Sequence, residues 1–248
     1  MKVNLLAHTQ LAEDKFLYDE TGNLDWSSVG EHFDVTDGQQ IALTAIRTCY
    51  SHKNPSGIVE DECEKYFGDK GKEAKRLFNH IVKSGHTSTL EHLNFTFAIE
   101  GVSRSLLAQL TRHRHMSFSV QSQRYVKFSS DSRSEGFDYV VPEKVEETRN
   151  TELYLERTAL DVYLEAMDYI QGAYDALIKR GIPQEDARAV LPNAAACNLV
   201  LTANLRTLLD FYSKRKPGAG AQHEITVLAE ELKARVIEVE PWTEEFFE

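Results

Sequence analysis

An α+β fold is what the 248-residue sequence predicts, on three observations. Apolar residues recur at helical spacing in several long segments. The clearest runs from about Glu152 to Lys179, where Leu160, Tyr163, Met167, Ile170, Tyr174 and Leu177 fall three or four residues apart. Other stretches are short and strand-like; Asn94-Phe95-Thr96-Phe97-Ala98-Ile99 alternates with period two. These strands do not alternate regularly with the helices, which argues against a doubly wound parallel sheet. No repeat, low-complexity tract or Pro/Gly/Ser linker divides the chain, so residues 1–248 are read as a single domain.

In chain order, Val3 to Ala7 predicts a first strand, and Asp37 an N-cap for a helix through Ile41, Ala45 and Ile46. Lys70 to Ser84 predicts a helix with Leu77, Phe78, Ile81 and Val82 on one face and Gly85 as its stop. Ser88-Thr89-Leu90-Glu91 fits a capping box ahead of the Asn94–Ile99 strand. Ser103 can cap a helix that turns Leu106, Leu107 and Leu110 inward and runs into Arg112-His113-Arg114. Tyr139-Val140-Val141 reads as a short strand ended by Pro142, and Gly181 closes the long helix. Pro183 suits the first position of a short helix through Ala189. A strand over Asn198–Thr202 and helices over Asn204–Lys214 and Ala221–Val236 complete the series, with Lys216-Pro217-Gly218 as the break between the last two.

Composition narrows the function. Hydrophobic residues make up 42% and charged residues 27%, the balance of an ordinary globular protein. No segment approaches the ~20 apolar residues of a membrane helix. The N-terminal apolar run is too short for a signal peptide, which argues for the cytoplasm. Cys49, Cys63 and Cys197 are too sparse for a disulfide framework or a structural zinc site. The net charge of −11 disfavours a protein that coats a nucleic-acid duplex, but a local basic pocket can still hold a phosphorylated small molecule. No GxGxxG or GxxxxGK[ST] motif occurs.

Positive charge is concentrated in Arg112-His113-Arg114-His115-Met116-Ser117-Phe118-Ser119-Val120-Gln121-Ser122-Gln123-Arg124-Tyr125. The guanidinium fork suits phosphate oxygens, and serine, glutamine and histidine can complete such a cage. As composition alone, the run is equally well a solvated, salt-bridged edge.

The order of residues shifts the balance. The string resembles the RHR, seven residues, Ser signature of the flavin-dependent thymidylate synthases, including its trailing Arg-Tyr. His86-Thr87-Ser88-Thr89-Leu90-Glu91-His92 is similar to that family's HGHxTxxEH region, and Ala187-Arg188-Ala189-Val190-Leu191-Pro192 to its ARxxLP segment. Asn204-Leu205-Arg206, Asp210 and Arg215 follow at its later spacing, so four blocks stand in the family's order from about residue 80 to 225.

The resemblance implies the family's own α+β fold, in which long helices pack with a small, mostly antiparallel sheet. It implies methylation of dUMP to dTMP, with methylene-tetrahydrofolate as carbon donor and FAD, reduced by NADPH, as hydride carrier. It also implies a cytoplasmic homotetramer with active sites between subunits, and neither nucleic acid nor membrane as a partner. Carried over by position, Arg112, His113 and Arg114 would contact FAD, with Arg112 also near the nucleotide. Ser88, Val120, Asn204, Leu205, Arg206 and Asp210 would adjoin the flavin, with Glu91 shaping that site. Gln109, Leu110, Thr111, Val120, Gln121, Ser122, Gln123, Arg124 and Arg188 would hold dUMP. His86 would lie beside the flavin, where folate or nicotinamide stacks. Arg215 would contact the uracil and favour charge developing near N3. No cysteine has a neighbouring base, and Ser122 has no triad around it, so neither reads as a nucleophile.

Two departures from the family pattern stand out. Ser119-Val120 replaces a common Asn-Glu, and Asp210 replaces a common Asn. A metal site is not expected: Ser88 stands where an HxxEH motif needs histidine, and two arginines flank His113. The alternative function is a non-catalytic RNA- or nucleotide-binding module built on the same basic run. The pI of about 5.3 and the lack of an RNP-type aromatic motif disfavour it.

Overall fold

The computed structural model describes residues 1–12, 26–147 and 158–248. Along the chain lie β1 (Lys2–His8), α1 (Trp26–Phe33), α2 (Asp37–Thr48), α3 (Ile58–Ser84), β2 (Asn94–Ser103), α4 (Arg104–Leu110) and β3 (Ser117–Val120). There follow α5 (Glu143–Glu147), α6 (Ala159–Lys179), α7 (Gln184–Ala187), β4 (Ala196–Asn204), α8 (Leu205–Arg215) and α9 (His223–Val239). The strands form one four-stranded sheet in the order β1-β2-β4-β3. Opposed pairs fix an antiparallel register: Thr96 Oγ1 meets Thr202 Oγ1 at 2.9 Å, and Gly101 N donates to Asn198 Oδ1 at 2.9 Å. The predicted α+β class and antiparallel sheet are what the structure contains.

Two compact units arise from this chain. Unit 1 comprises Met1–Val3, Ala98–Leu201 and Ala221–Leu228; unit 2 comprises Asn4–Phe97, Thr202–Gly220 and Ala229–Glu248. In unit 1 the stripe on α6 does what its spacing predicts. Met167 and Tyr174 are buried with Phe128, Phe137, Ala187 and Ala195, and Tyr163, Ile170 and Leu177 pack against them. Polar groups pin this core: Phe128 N donates to Tyr174 Oη at 3.3 Å, and Phe137 N to Gln171 Oε1 at 2.9 Å. Thr158 caps α6 through a capping box with Asp161, and positions 152–157 of the predicted helix lie outside the described residues.

Unit 2 buries Leu43 and Ile46 of α2, Phe78 and Ile81 of α3, and Phe95 and Phe97 of β2. The cap of α2 is Thr36 and not Asp37: Thr36 Oγ1 accepts from Gln39 N, and Gln39 Oε1 accepts from Thr36 N at 2.9 Å. Asp37 Oδ2 instead accepts from Leu11 N at 3.0 Å. A second carboxylate closes this end. Glu240, 2% exposed, accepts from Thr36 Oγ1 and, at 2.6 Å, from Trp242 Nε1. Burial pushes its carboxyl above the ordinary glutamate range, against the downward pull of Thr36, Trp242, the His8 charge and the Gly38 N–H. A Cβ on Gly38 would stand 2.2 Å from Glu240 Oε1, so glycine is what lets the carboxylate approach the helix.

Several sequence expectations shift. α3 begins at Ile58 and breaks over Gly68 to Gly71, where Asp69, Lys70 and Gly71 adopt positive φ, so the helix predicted from Lys70 is its second half. Gly85, at φ 78°, ends it as expected. Ser88 caps nothing; it lies inside a 3₁₀ turn over Thr87–His92. Tyr139-Val140-Val141 yields an isolated antiparallel bridge between Tyr139 and Ala195 and no strand. Pro183 is the N-cap of α7, which spans one turn before a 3₁₀ turn over Arg188–Val190.

Candidate active site

Unit 1 carries the basic run. Ser103 caps α4 by accepting from Leu106 N at 3.0 Å, and the buried Leu106 and Leu110 anchor the helix. α4 thereby brings Thr111, Arg112 and Arg114 to the surface. Leu110 is fully buried, so a ligand at that position meets its main chain. Thr111 Oγ1 donates to Leu107 O at 3.0 Å as the C-cap. Arg112 and Arg114 are exposed, and among the described residues no carboxylate pairs with either. His113 is half-buried between them.

The chain then forms β3, ending at the half-buried Val120. Gln121 is held from three sides. Its N–H donates to Asn198 O at 2.8 Å, Arg104 Nη2 donates to its carbonyl at 2.8 Å, and Asn198 Nδ2 donates to its Oε1 at 3.4 Å. Ser122 Oγ accepts from Arg124 N at 3.2 Å, and Ser122 O from Val126 N at 3.0 Å. The Gln121–Arg124 segment, with Gln123 half-buried at its centre, is thus a fixed turn. The Ser122 hydroxyl organises that turn.

Glu185 of α7 joins two of the predicted arginines. Its carboxylate lies 2.9 Å from Arg124 Nη2, and its main-chain carbonyl accepts from Arg188 Nε at 3.0 Å. Gln184 adds a hydrogen bond to Arg124 O. Sequence reasoning missed Glu185, whose carboxylate meets an arginine 61 positions away.

Unit 2 holds the remaining predicted residues. Arg206 Nη1 pairs with Glu91 Oε1 at 2.5 Å, and Leu205 N donates to Leu93 O at 2.8 Å; together they fasten the 3₁₀ turn to the start of α8. Ser88 and His86 are exposed on or beside that turn, and His86 Nδ1 lies 2.8 Å from Tyr50 Oη, a partner with no signal in the sequence. Two carried-over positions already have structural work. Asn204 Oδ1 caps α8 by accepting from Thr207 N at 2.9 Å, and among the described residues no acceptor meets its amide nitrogen. The Leu205 side chain is fully buried and serves the core. Asp210 pairs with Lys214 at 2.6 Å, so the negative charge that replaces asparagine has a partner on its own helix. Arg215 is half-buried in the last turn of α8.

The cysteines offer no activated thiol. Cys197 is buried, and desolvation pushes its thiol up, with Glu224 adding to this and Arg104 opposing it. Two cavities lie elsewhere. One, of about 810 Å³ in unit 1, is bordered by Ser105, Tyr163, Asn193 and Gln222; the other, of about 560 Å³ in unit 2, by Phe33, Phe78 and Trp242. Neither is lined by a predicted site residue, and the basic surface wins as the candidate because its exposed cations match an anionic ligand. No helix of the described residues is long and apolar enough to cross a membrane.

The family model described as Thymidylate synthase complementing protein matches residues 32–242. A flavin-dependent thymidylate synthase of Clostridium tetani is 35% identical over 219 residues, covering 82% of this chain and 79% of the relative. One of Geobacter sulfurreducens is 39% identical over 205 residues, covering 83% and 80%. A probable flavin-dependent thymidylate synthase of Mycobacterium phage D29 is 35% identical over 252 residues, covering 98% and 94%. Among solved structures, a UMP/dUMP methylase from Streptomyces cacaoi bound with 5-Br dUMP superposes with a TM-score of 0.68 at 22% identity. It covers 99% of this chain and 94% of that one, a likeness of fold.

Proposed function

The chain belongs to the Thymidylate synthase complementing protein family, and from that premise we propose that it converts dUMP to dTMP as a flavin-dependent thymidylate synthase. The observation that carries this reading is the exposed pair Arg112 and Arg114 on the turn after α4, unmatched by carboxylate among the described residues in a chain of net charge −11. Two such guanidinium groups, with His113 between them, form a donor set suited to the pyrophosphate of FAD. The flavin fits this chain on that ground.

FAD, reduced by NADPH, supplies the hydride, and methylene-tetrahydrofolate the one-carbon unit. The protein's own residues bind and orient. Arg112, His113 and Arg114 hold the anionic part of FAD, and Ser88, Val120, Asn204, Arg206 and Asp210 border it. Gln109, the Gln121–Arg124 turn and Arg188 hold dUMP, with Arg124 and Arg188 placed through Glu185. Arg215 faces the uracil and balances negative charge near N3, which raises electron density at C5 without a protein nucleophile. His86 borders the face where folate or nicotinamide stacks.

An open basic surface, and not a closed cavity, accords with active sites completed by neighbouring copies. The whole chain acts here as one domain in a cytoplasmic homotetramer. The visible spectrum of the purified protein, reconstituted with FAD if needed, tests the reading. Flavin bands that stay with the protein through gel filtration are expected. A colourless protein that cannot retain FAD would contradict it.

A further inference from the structure

We propose that Asn198 is a positioning residue that makes Gln121 present the nitrogen of its side-chain amide, and not the oxygen, to the nucleotide. The inference rests on the reading that Gln121 lies in the dUMP site. Three residues of unit 1 carry it. Gly101 of β2, at φ 68°, donates from its main-chain N–H to Asn198 Oδ1 at 2.9 Å. Asn198 of β4 donates from Nδ2 to Gln121 Oε1 at 3.4 Å. Gln121 Nε2 meets no acceptor among the described residues. The main chain of Gln121 is fixed independently, since its N–H donates to Asn198 O at 2.8 Å and its carbonyl accepts from Arg104 Nη2 at 2.8 Å.

A half-turn of a side-chain amide exchanges acceptor for donor, so its polarity is set only by a neighbour that cannot make the same exchange. The Gly101 N–H is such a neighbour, because it donates and cannot accept. A half-turn of Asn198 would set Nδ2 against that N–H and leave a main-chain donor unpaired. With Asn198 held, a half-turn of Gln121 alone sets Nε2 against Nδ2. A joint half-turn of both amides keeps their mutual bond but breaks the contact with Gly101. The arrangement observed is the one that keeps both bonds. Gln121 therefore offers a donor, which suits an acceptor oxygen of dUMP: the phosphate or a uracil carbonyl.

Dissociation constants for dUMP, measured by calorimetry on FAD-loaded protein, test this through a double-variant cycle. Asn198→Asp keeps an acceptor for Gly101 N and turns a second acceptor toward Gln121, which then donates Nε2 to it and shows its oxygen to the ligand. dUMP is expected to bind about tenfold more weakly. Gln121→Leu alone, which removes the donor, is expected to weaken dUMP about fivefold. The added charge of Asp would also weaken an anionic ligand, but equally with or without the Gln121 amide. In the double variant Asn198→Asp/Gln121→Leu the Asp is therefore expected to cost less than about threefold beyond Gln121→Leu. A purely structural tie predicts native affinity for Asn198→Asp, because the Asp still hydrogen-bonds the Gln121 amide. Retained flavin absorbance shows that each variant is folded. The same cycle with deoxyuridine locates the acceptor: coupling that persists belongs to a uracil carbonyl, and coupling that vanishes belongs to the phosphate. Native affinity in either single variant, or an Asp penalty no smaller in the Gln121→Leu background, overturns the proposal. If the native protein binds no dUMP, the functional reading fails first.

Discussion

Replacing Arg215 with alanine is expected to lower turnover by about two to three orders of magnitude while leaving fold and flavin in place. Leu205, Leu208, Phe211 and Tyr212 are the buried residues of α8, so its core face survives the change at the half-buried last position. The chemistry does not. C5 of uracil is a poor nucleophile until electron density is pushed into the ring. Attack by a cysteine at C6 is one way to do this, but Cys197 is buried with its thiol pushed up, Cys63 is buried, and Cys49 follows α2 without a catalytic base assigned to it. The Ser122 hydroxyl accepts from Arg124 N within its own turn, and the sequence sets no triad around it to activate it. A fixed cation near N3 is the remaining protein contribution. Steady-state dTMP formation, measured beside circular dichroism and flavin content, checks the expectation. Near-native turnover would show that the family's catalytic arginine does not correspond to Arg215.

The second large effect concerns stability. The change Glu240→Gln is expected to destabilise unit 2 by about 1–3 kcal/mol in acid, because an NH₂ cannot accept where both oxygens of the carboxyl, protonated or not, keep lone pairs for the surrounding donors. Thr36, Trp242 and the Gly38 N–H all donate to Glu240. The pH dependence is distinctive. Burial raises the folded-state pKa of Glu240, so the native state binds the proton more tightly than the unfolded chain. Its contribution is fully present below the ordinary glutamate pKa and is lost as pH rises through the raised value. The gap between native protein and Glu240→Gln should therefore be widest in acid and narrowest near neutrality. Denaturant unfolding of both proteins from about pH 4 to 8 measures it. A gap that widens with pH would contradict the account.

Much of this was legible in the sequence, for identifiable reasons. The α6 stripe declared itself because one face of a long helix must be apolar to cover Phe128 and Phe137. Ser103 and Gly85 were readable because caps depend on local chemistry. β3 was not, since its four residues sit within a polar, basic run and gain their strand geometry from the sheet. Only the second half of α3 was read, from the apolar face over Leu77 to Val82; packing shows that Ile58 to Phe67 is also helical. At the candidate site, residue types and spacing identified the segments. The partners that orient them escaped: Glu185 beside Arg124, Tyr50 beside His86, and Gln222 beside Gln109 join residues 36 to 113 positions apart. Burial also changed what some positions offer, because Leu110 and Leu205 can give a ligand only their main chain.

Release of tritium from dUMP labelled at C5 tests the central claim most directly, because the label leaves only if a new bond forms at that carbon. Release is expected with methylene-tetrahydrofolate and NADPH both present in FAD-loaded protein, and is expected to stop when either is withheld. Release that continues without folate, or none in the complete mixture with FAD demonstrably bound, would contradict the account.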